Sequence, residues 1–211
     1  MNGLHQLLRL YLVTDSALCR HLGLVETVVQ AVAGGVTMVQ LRAKDATTPE
    51  RVSMALALKV ALAGTGVPLL INDDVEAAVA ADVDGAHIGQ GDMQPAQARN
   101  ILGPHKILGL SCETSDAVLA ADPGIVDYLG IGPVFGTATK ADHETPIGFD
   151  GLERLVRLSA LPTVAIGGLK AQHHKQVLAT GSNGQAIVSA ICGQADPKEA
   201  ALAFKYPELC T

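Results

Sequence analysis

Short, uninterrupted apolar runs alternate along the chain with longer stretches whose apolar residues recur every three to four positions. The short runs are Leu10–Val13, Met38–Leu41, Pro68–Ile71, Gly85–Ile88, Ile107–Leu110, Tyr128–Ile131, Thr163–Ile166 and Gln185–Val188. Most lack a polar residue at every second position, the pattern of strands buried on both faces, as in parallel sheets. The longer stretches predict helices over Leu24–Ala33, Pro49–Leu62, Val75–Ala81, Pro95–Leu102, Ser115–Ala121, Leu152–Leu158, His173–Leu178 and Lys198–Phe204. Thr47-Thr48 before Pro49 is a helix start, and Gly34, Gly64, Gly103 and Gly181 sit where helices stop. Eight strand–helix units over 211 residues leave roughly 26 residues per unit, near the lower size limit of the (β/α)₈ barrel. A doubly wound sheet would place a glycine-rich loop after its first strand. Here the first run ends in Val13-Thr14-Asp15-Ser16, and the glycines fall after later strands. The expected fold is therefore α/β, a single (β/α)₈ TIM barrel spanning residues 1–211.

Composition narrows the function. Aromatic residues make up 3% of the chain and Trp is absent, so Ala, Val, Leu and Ile must build the core. The net charge of −6 lacks the clustered Lys and Arg that nucleic acid or an anionic membrane would need. Cys19, Cys112, Cys192 and Cys210 form no CxxC pair, which favours packing thiols in a reduced, cytoplasmic compartment. No apolar run approaches the length of a membrane span. Self-association into a homo-oligomer is left open.

Barrel chemistry gathers at the C-terminal strand ends, and the residues there are not random. After the second run, Gln40, Arg42 and Lys44 alternate, so they share a direction and offer an amide and two cations to an anion. The third run ends in Asn72, Asp73 and Asp74, and the fourth leads through Gly89-Gln90-Gly91 to Asp92. Asp73 and Asp92 suit a hard cation such as Mg²⁺, which takes oxygen ligands, whereas Asp74 also fits the start of the next helix. Ser111, after the fifth run, is placed to bond a ligand or to cap a helix. The sixth run opens the longest irregular segment, which carries Thr137, Thr139 and Lys140. Gly167-Gly168 after the seventh run, with Val188-Ser189 after the eighth, fits the phosphate site that barrels build from backbone N–H groups. Two anion pockets emerge. One comprises Gly168, Val188 and Ser189 with Thr137 and Thr139. The other comprises Arg42, Lys44 and Lys140 with a metal at Asp73 and Asp92. The partners implied are small phosphorylated molecules.

The ordered set QLRAK, INDD, HIGQGD, GLSCET, GPVFGTATKAD, AIGGL and VSAI, from about residue 10 to about residue 192, resembles the thiamine-phosphate synthase family. The resemblance implies transfer of a 4-amino-2-methyl-5-hydroxymethylpyrimidine from its diphosphate to the nitrogen of 4-methyl-5-(2-phosphoethyl)thiazole, through a pyrimidine cation, with Mg²⁺ as cofactor. It assigns Gln40, Arg42, Lys44, Asn72, Ser111 and Lys140 to the pyrimidine diphosphate, with Arg42, Lys44, Lys140 and Ser111 in the catalytic set. It assigns Asp73 and Asp92 to the metal, and Thr137, Thr139, Gly168, Val188 and Ser189 to the thiazole phosphate. The chain departs from the family pattern at Gly136, where Pro is usual, at Asp74, where Arg is common, and at Glu113, where His is common. The Asp74 departure implies extra negative charge near the metal. A thiazole tautomerase on the same barrel would need neither the diphosphate cations nor the carboxylate pair. A non-catalytic phosphate-binding barrel would not need both pockets. His87, His143 and the exposed-looking His173-His174 pair are read as packing or surface residues.

Overall fold

The computed structural model describes residues 3–136 and 145–205. Eight parallel strands close into a barrel in sequence order. They are β1 (Leu10–Val13), β2 (Met38–Leu41), β3 (Leu69–Asn72), β4 (Gly85–Ile88), β5 (Ile107–Cys112), β6 (Tyr128–Ile131), β7 (Thr163–Ile166) and β8 (Gly184–Ile187). β1 pairs with both β2 and β8, which removes the sheet edges. The helices are α1 (Leu4–Leu7) ahead of β1, then α2 (Leu24–Ala33), α3 (Thr48–Leu62), α4 (Val75–Ala80), α5 (Pro95–Leu102), α6 (Ser115–Ala120), α7 (Gly148–Leu158), α8 (His174–Ala179), α9 (Ser189–Cys192) and α10 (Pro197–Lys205).

The expected barrel is thus observed, with local differences. β5 continues to Cys112 because Ser111 and Cys112 still pair with Gly130 and Ile131. Ser111 therefore stands inside a strand and does not cap the following helix, whose cap is Thr114. Val188 leaves the strand and becomes the residue that caps α9, a four-residue helix absent from the periodicity. α7 begins at Gly148, one turn early, with Ile147 and Phe149 packed on the core. α3 starts as expected: the Thr47 backbone N–H and hydroxyl both donate to the Glu50 carboxylate, at 2.7 and 2.8 Å.

Two apolar regions follow from strand alternation. One lies between barrel and helices, with Leu12, Val39, Ile71, Ile88, Leu129 and Ile187 among its strand residues. The other fills the barrel with Tyr11, Val13, Met38, Leu70, Tyr128, Val164 and Ala186, and Leu8 plugs it. Among the described residues the interior is packed below and opens towards the C-terminal strand ends. Cys19, Cys112 and Cys192 are free, buried thiols; Cys210 lies outside the described residues. Among the described residues no helix is long and apolar enough to cross a membrane.

Candidate active site

A cavity of about 510 Å³ occupies the C-terminal mouth of the barrel. Gln40, Arg42, Lys44, Asn72, Asp73, Asp92, Ser111, Gly168, Val188 and Ser189 all line it. The two pockets expected from the sequence are two walls of this one space among the described residues. Thr137, Thr139, Lys140 and His143 lie outside the described residues.

On the β2 wall, Gln40 is buried and its side-chain N–H donates to the Tyr11 hydroxyl at 2.6 Å. Arg42 is held at both its backbone and its side chain. Its backbone N–H donates to Thr14 Oγ1 at 3.0 Å, and its guanidinium meets the Asp15 carboxylate at 3.5 Å. Asp15 is itself fixed, because Oδ1 accepts the backbone N–H groups of Ala17 and Leu18. Lys44 is exposed at the rim.

Asp73 follows β3 in a left-handed backbone conformation, φ 63°, which non-glycine residues seldom adopt. Its N–H donates to the His87 carbonyl at 2.8 Å, which ties this turn to β4. Burial disfavours the charged form of Asp73, and the facing Asp92 carboxylate adds to this, so its pKa is pushed up to about 6 despite Arg42 nearby. Asp92 accepts the Gly89 N–H at 2.7 Å, which folds its loop back over the mouth. The two carboxylates thus face one another. Among the described residues no three His, Cys, Asp or Glu groups converge as a metal cluster.

A pH prediction follows for the metal-free protein. The folded chain holds the Asp73 proton more tightly than the unfolded chain. The stability this group contributes is full below about pH 4 and lost as pH rises through about 6. Asp92→Asn is expected to flatten that loss, which melting temperatures from pH 4 to 7 would show. Identical slopes in both proteins would contradict the pairing.

Asp74 does not add charge to the site. Its Oδ1 caps α4 by accepting the Ala77 N–H at 2.8 Å, and its Oδ2 pairs with Arg51 at 3.0 Å and Thr48 at 2.8 Å. Burial alone would raise its pKa, but these bonds outweigh it and lower the value. The extra negative charge expected near the metal is therefore neutralised, and Asp74 is outside the cavity lining. Glu113 does line the cavity.

On the opposite wall, Gly167 and Gly168 have φ of 104° and 61°. A Cβ at Gly167 would stand 2.7 Å from Pro133 Cα, and one at Gly168 would stand 2.8 Å from the Gly136 carbonyl. Only glycine lets the loops after β6 and β7 touch here. Their contact is made by Val134 N–H to Ile166 O at 2.9 Å and Phe135 N–H to Gly167 O at 3.0 Å. Ser189 opens α9 beside them, with its first-turn N–H groups at the cavity end. His173 and His174 are not exposed. His173 packs against Phe135 at 4.8 Å between ring centroids, and His174 shares a 2.9 Å hydrogen bond with Gln185.

Among the lining residues that the sequence reading did not assign to the site are Tyr11, His87, Gln90 and Glu113. Strand parity could have found the first two. Tyr11 lies two positions before inward-facing Val13, and His87 stands in register with Asn72 and Gly109.

The fold and this cavity define the class, a (β/α)₈ barrel with an enzyme-type polar site at its C-terminal face. Comparison with known proteins is more specific. The family model described as thiamine monophosphate synthase matches residues 10–191. The thiamine-phosphate synthase of Psychrobacter sp. (strain PRwf-1) is 54% identical over 197 residues, 92% of each chain. That of Xanthobacter autotrophicus is 51% identical over 198 residues, 94% of each chain. Among solved structures, the thiamine phosphate pyrophosphorylase from Pyrococcus furiosus superposes with a TM-score of 0.85 at 34% identity, covering 96% of each chain. The chain belongs to the thiamine monophosphate synthase family.

Proposed function

We propose that this chain is a transferase that joins the pyrimidine and thiazole halves of thiamine phosphate. The bond from the pyrimidine methylene carbon to the diphosphate oxygen breaks, and its electron pair leaves with pyrophosphate. The thiazole nitrogen then gives its lone pair to that carbon, forming the new C–N bond and carrying the resulting positive charge. The observation that supports this reading best is one cavity lined both by the Arg42, Lys44, Asp73 and Asp92 wall and by the Gly168, Val188 and Ser189 wall. A diphosphate and a phosphate each need a cradle, and the reacting centre must lie between them.

Asp73 and Asp92 fit Mg²⁺. They are oxygen donors that face each other, and burial together with the facing Asp92 raises the Asp73 pKa, the opposite of what a bound cation would do. When bound there, Mg²⁺ would neutralise charge on the departing diphosphate. Arg42 and Lys44 do the same from β2, and the Asp15 contact holds the guanidinium in place. Asn72 lines the same cavity and hydrogen-bonds Asp73. Ser111 and Gln40 would orient the pyrimidine, and Gly168, Val188 and Ser189 would take the thiazole phosphate through backbone N–H groups. The family resemblance assigns Lys140 to the diphosphate and Thr137 and Thr139 to the thiazole phosphate; all three lie outside the described residues. No dedicated base is needed, since the thiazole nitrogen is already a nucleophile. Filling of the cavity by both substrates would displace water and protect the pyrimidine cation.

The test mixes both substrates with Mg²⁺ and follows thiamine phosphate and pyrophosphate. Equimolar formation of both is expected. Folded protein that forms neither would remove the reading.

A further inference from the structure

Two of the buried thiols meet beside the cavity. Cys19 sits in a short 3₁₀ turn, Leu18–Arg20, in the loop after β1, and Cys192 ends α9. The two segments pack on each other, and the two thiols are hydrogen-bonded to one another. Shared backbone groups hold them there. The Asp15 backbone bonds both sulfurs, and the Cys19 N–H donates to the Asp15 carbonyl at 2.9 Å. The Cys192 thiol donates to the Val13 carbonyl at 3.7 Å. Cys19 and Cys192 are 2% and 3% exposed, yet their chain neighbours Arg20 and Gly193 are exposed. The pair therefore lies one residue beneath the surface, where local opening of a single turn admits a small molecule.

The contact makes the two thiols unequal. Each carries one hydrogen. When Cys19 ionises, the Cys192 hydrogen can turn from Val13 to the new thiolate. That bond lowers the Cys19 pKa against the effect of burial, and it raises the pKa of Cys192. Cys19 is thus the nucleophile of the pair, and Cys192 is the thiol that resolves it. Cys112 is the contrast: burial pushes its pKa up to about 12, and its sulfur accepts from the Gln90 amide at 3.7 Å.

The pair also sits at a joint of the cavity. Asp15 holds Arg42 with its carboxylate and Cys19 with its backbone. α9 is a single turn. Ser189 at its start lines the cavity, and Cys192 at its end donates its N–H to the Val188 carbonyl at 2.9 Å. One turn has no length in which to absorb a displacement, so a pull on the Cys192 sulfur reaches Val188 and Ser189.

We infer that Cys19 and Cys192 are a modification site, a thiol pair that a small hydroperoxide such as hydrogen peroxide closes into a disulfide, and that closing it weakens the hold of the α9 end of the cavity on phosphate. The Cys19 thiolate attacks one peroxide oxygen. The S–O bond forms, the O–O bond breaks with its electron pair on the departing oxygen, and that oxygen takes up a proton and leaves as an alcohol or water. The Cys192 sulfur then attacks the Cys19 sulfur. The S–S bond forms, the S–O bond breaks, and the departing hydroxide takes the Cys192 proton and leaves as water. The two thiols together lose two electrons, and one peroxide is reduced. The link draws α9 towards the loop after β1 and removes the hydrogen given to Val13. The consequence for phosphate rests on the reading of Gly168, Val188 and Ser189 as a phosphate cradle; the disulfide itself does not.

The test treats folded native protein with hydrogen peroxide, blocks the remaining thiols and maps the peptides by mass. A Cys19–Cys192 link with Cys112 still free is expected. Binding of inorganic phosphate, measured calorimetrically, should weaken roughly fivefold or more in the linked protein and return after reduction with dithiothreitol. Cys192→Ser should stop at a Cys19 sulfenic acid, trapped by dimedone. Cys19→Ser should bind phosphate equally before and after peroxide. Native protein in which both thiols stay reduced, or in which either links elsewhere, would overturn the proposal, and that outcome needs neither variant to fold. Linked protein that binds phosphate as the reduced form does would overturn the coupling to the cavity. Reduced native protein that binds no phosphate would remove the cradle reading and the coupling with it, and the peptide map would still decide the thiol pair.

Discussion

Asp92→Ala is expected to lower kcat/KM by roughly a thousandfold, about 4 kcal/mol of transition-state stabilisation. Its melting temperature should stay within about 2 °C of native. The separation between the two effects follows from where Asp92 sits. It lies on an exposed loop after β4, outside both apolar regions, where its carboxylate accepts the Gly89 N–H and faces Asp73. Losing the bond to Gly89 at this exposed position costs on the order of 1 kcal/mol. Removing a negative charge that faces Asp73 offsets part of it, because that charge raises the Asp73 pKa. For the reaction the balance is opposite. Charge on the leaving diphosphate grows as its bond to carbon breaks, and one carboxylate cannot hold a divalent ion as two do. The Mg²⁺ concentration for half-maximal rate should therefore rise along with the fall in rate. A variant with native kinetics would remove Asp92 from the metal site. One that loses rate only in proportion to its folded fraction would make Asp92 structural.

The strands were legible because burial on both faces leaves an uninterrupted apolar signature that needs no knowledge of neighbours. Six of the eight begin or end where their runs do, and the exits of β2, β3 and β4 led directly to Gln40, Arg42, Asn72, Asp73 and Asp92. Legibility failed where a contact distant in sequence decided the outcome. The role of Asp74 depends on Arg51, 23 positions earlier on α3, and nothing around Asp74 announces that partner. The hold on Arg42 depends on Asp15, 27 positions away. α9 failed for another reason: four residues are too few to show a period, and Val188 extends an apolar run. The hydrogen bonds that run from Gln40 through Tyr11 and Tyr128 to His87 were hidden because the two tyrosines sit inside apolar runs, where a phenol reads as a large packing side chain. Their register becomes visible only when the strands are placed side by side.

Arg42→Met should lower kcat/KM by roughly a hundredfold to a thousandfold, with a larger rise in the KM for the pyrimidine diphosphate than in the KM for the thiazole phosphate. Methionine keeps most of the side-chain volume and removes the charge, so the change isolates electrostatics from packing. Arg42 is only 11% exposed at its side chain and lies in a cavity partly shielded from water, where a cation acts more strongly on a phosphate than it would at an open surface. Asp15 loses its partner but keeps the Ala17 and Leu18 N–H groups, so the loop after β1 should hold its shape. Arg42→Lys should recover only part of the loss, because an ammonium cannot reach Asp15 and two phosphate oxygens with the same planar fork. Asp15→Asn should fall between native and Arg42→Lys, since it leaves the guanidinium charged but less firmly aimed. If Arg42→Met raised both KM values equally and left kcat untouched, Arg42 would be binding either anion without distinction, and the assignment of the β2 wall to the diphosphate would have to be given up.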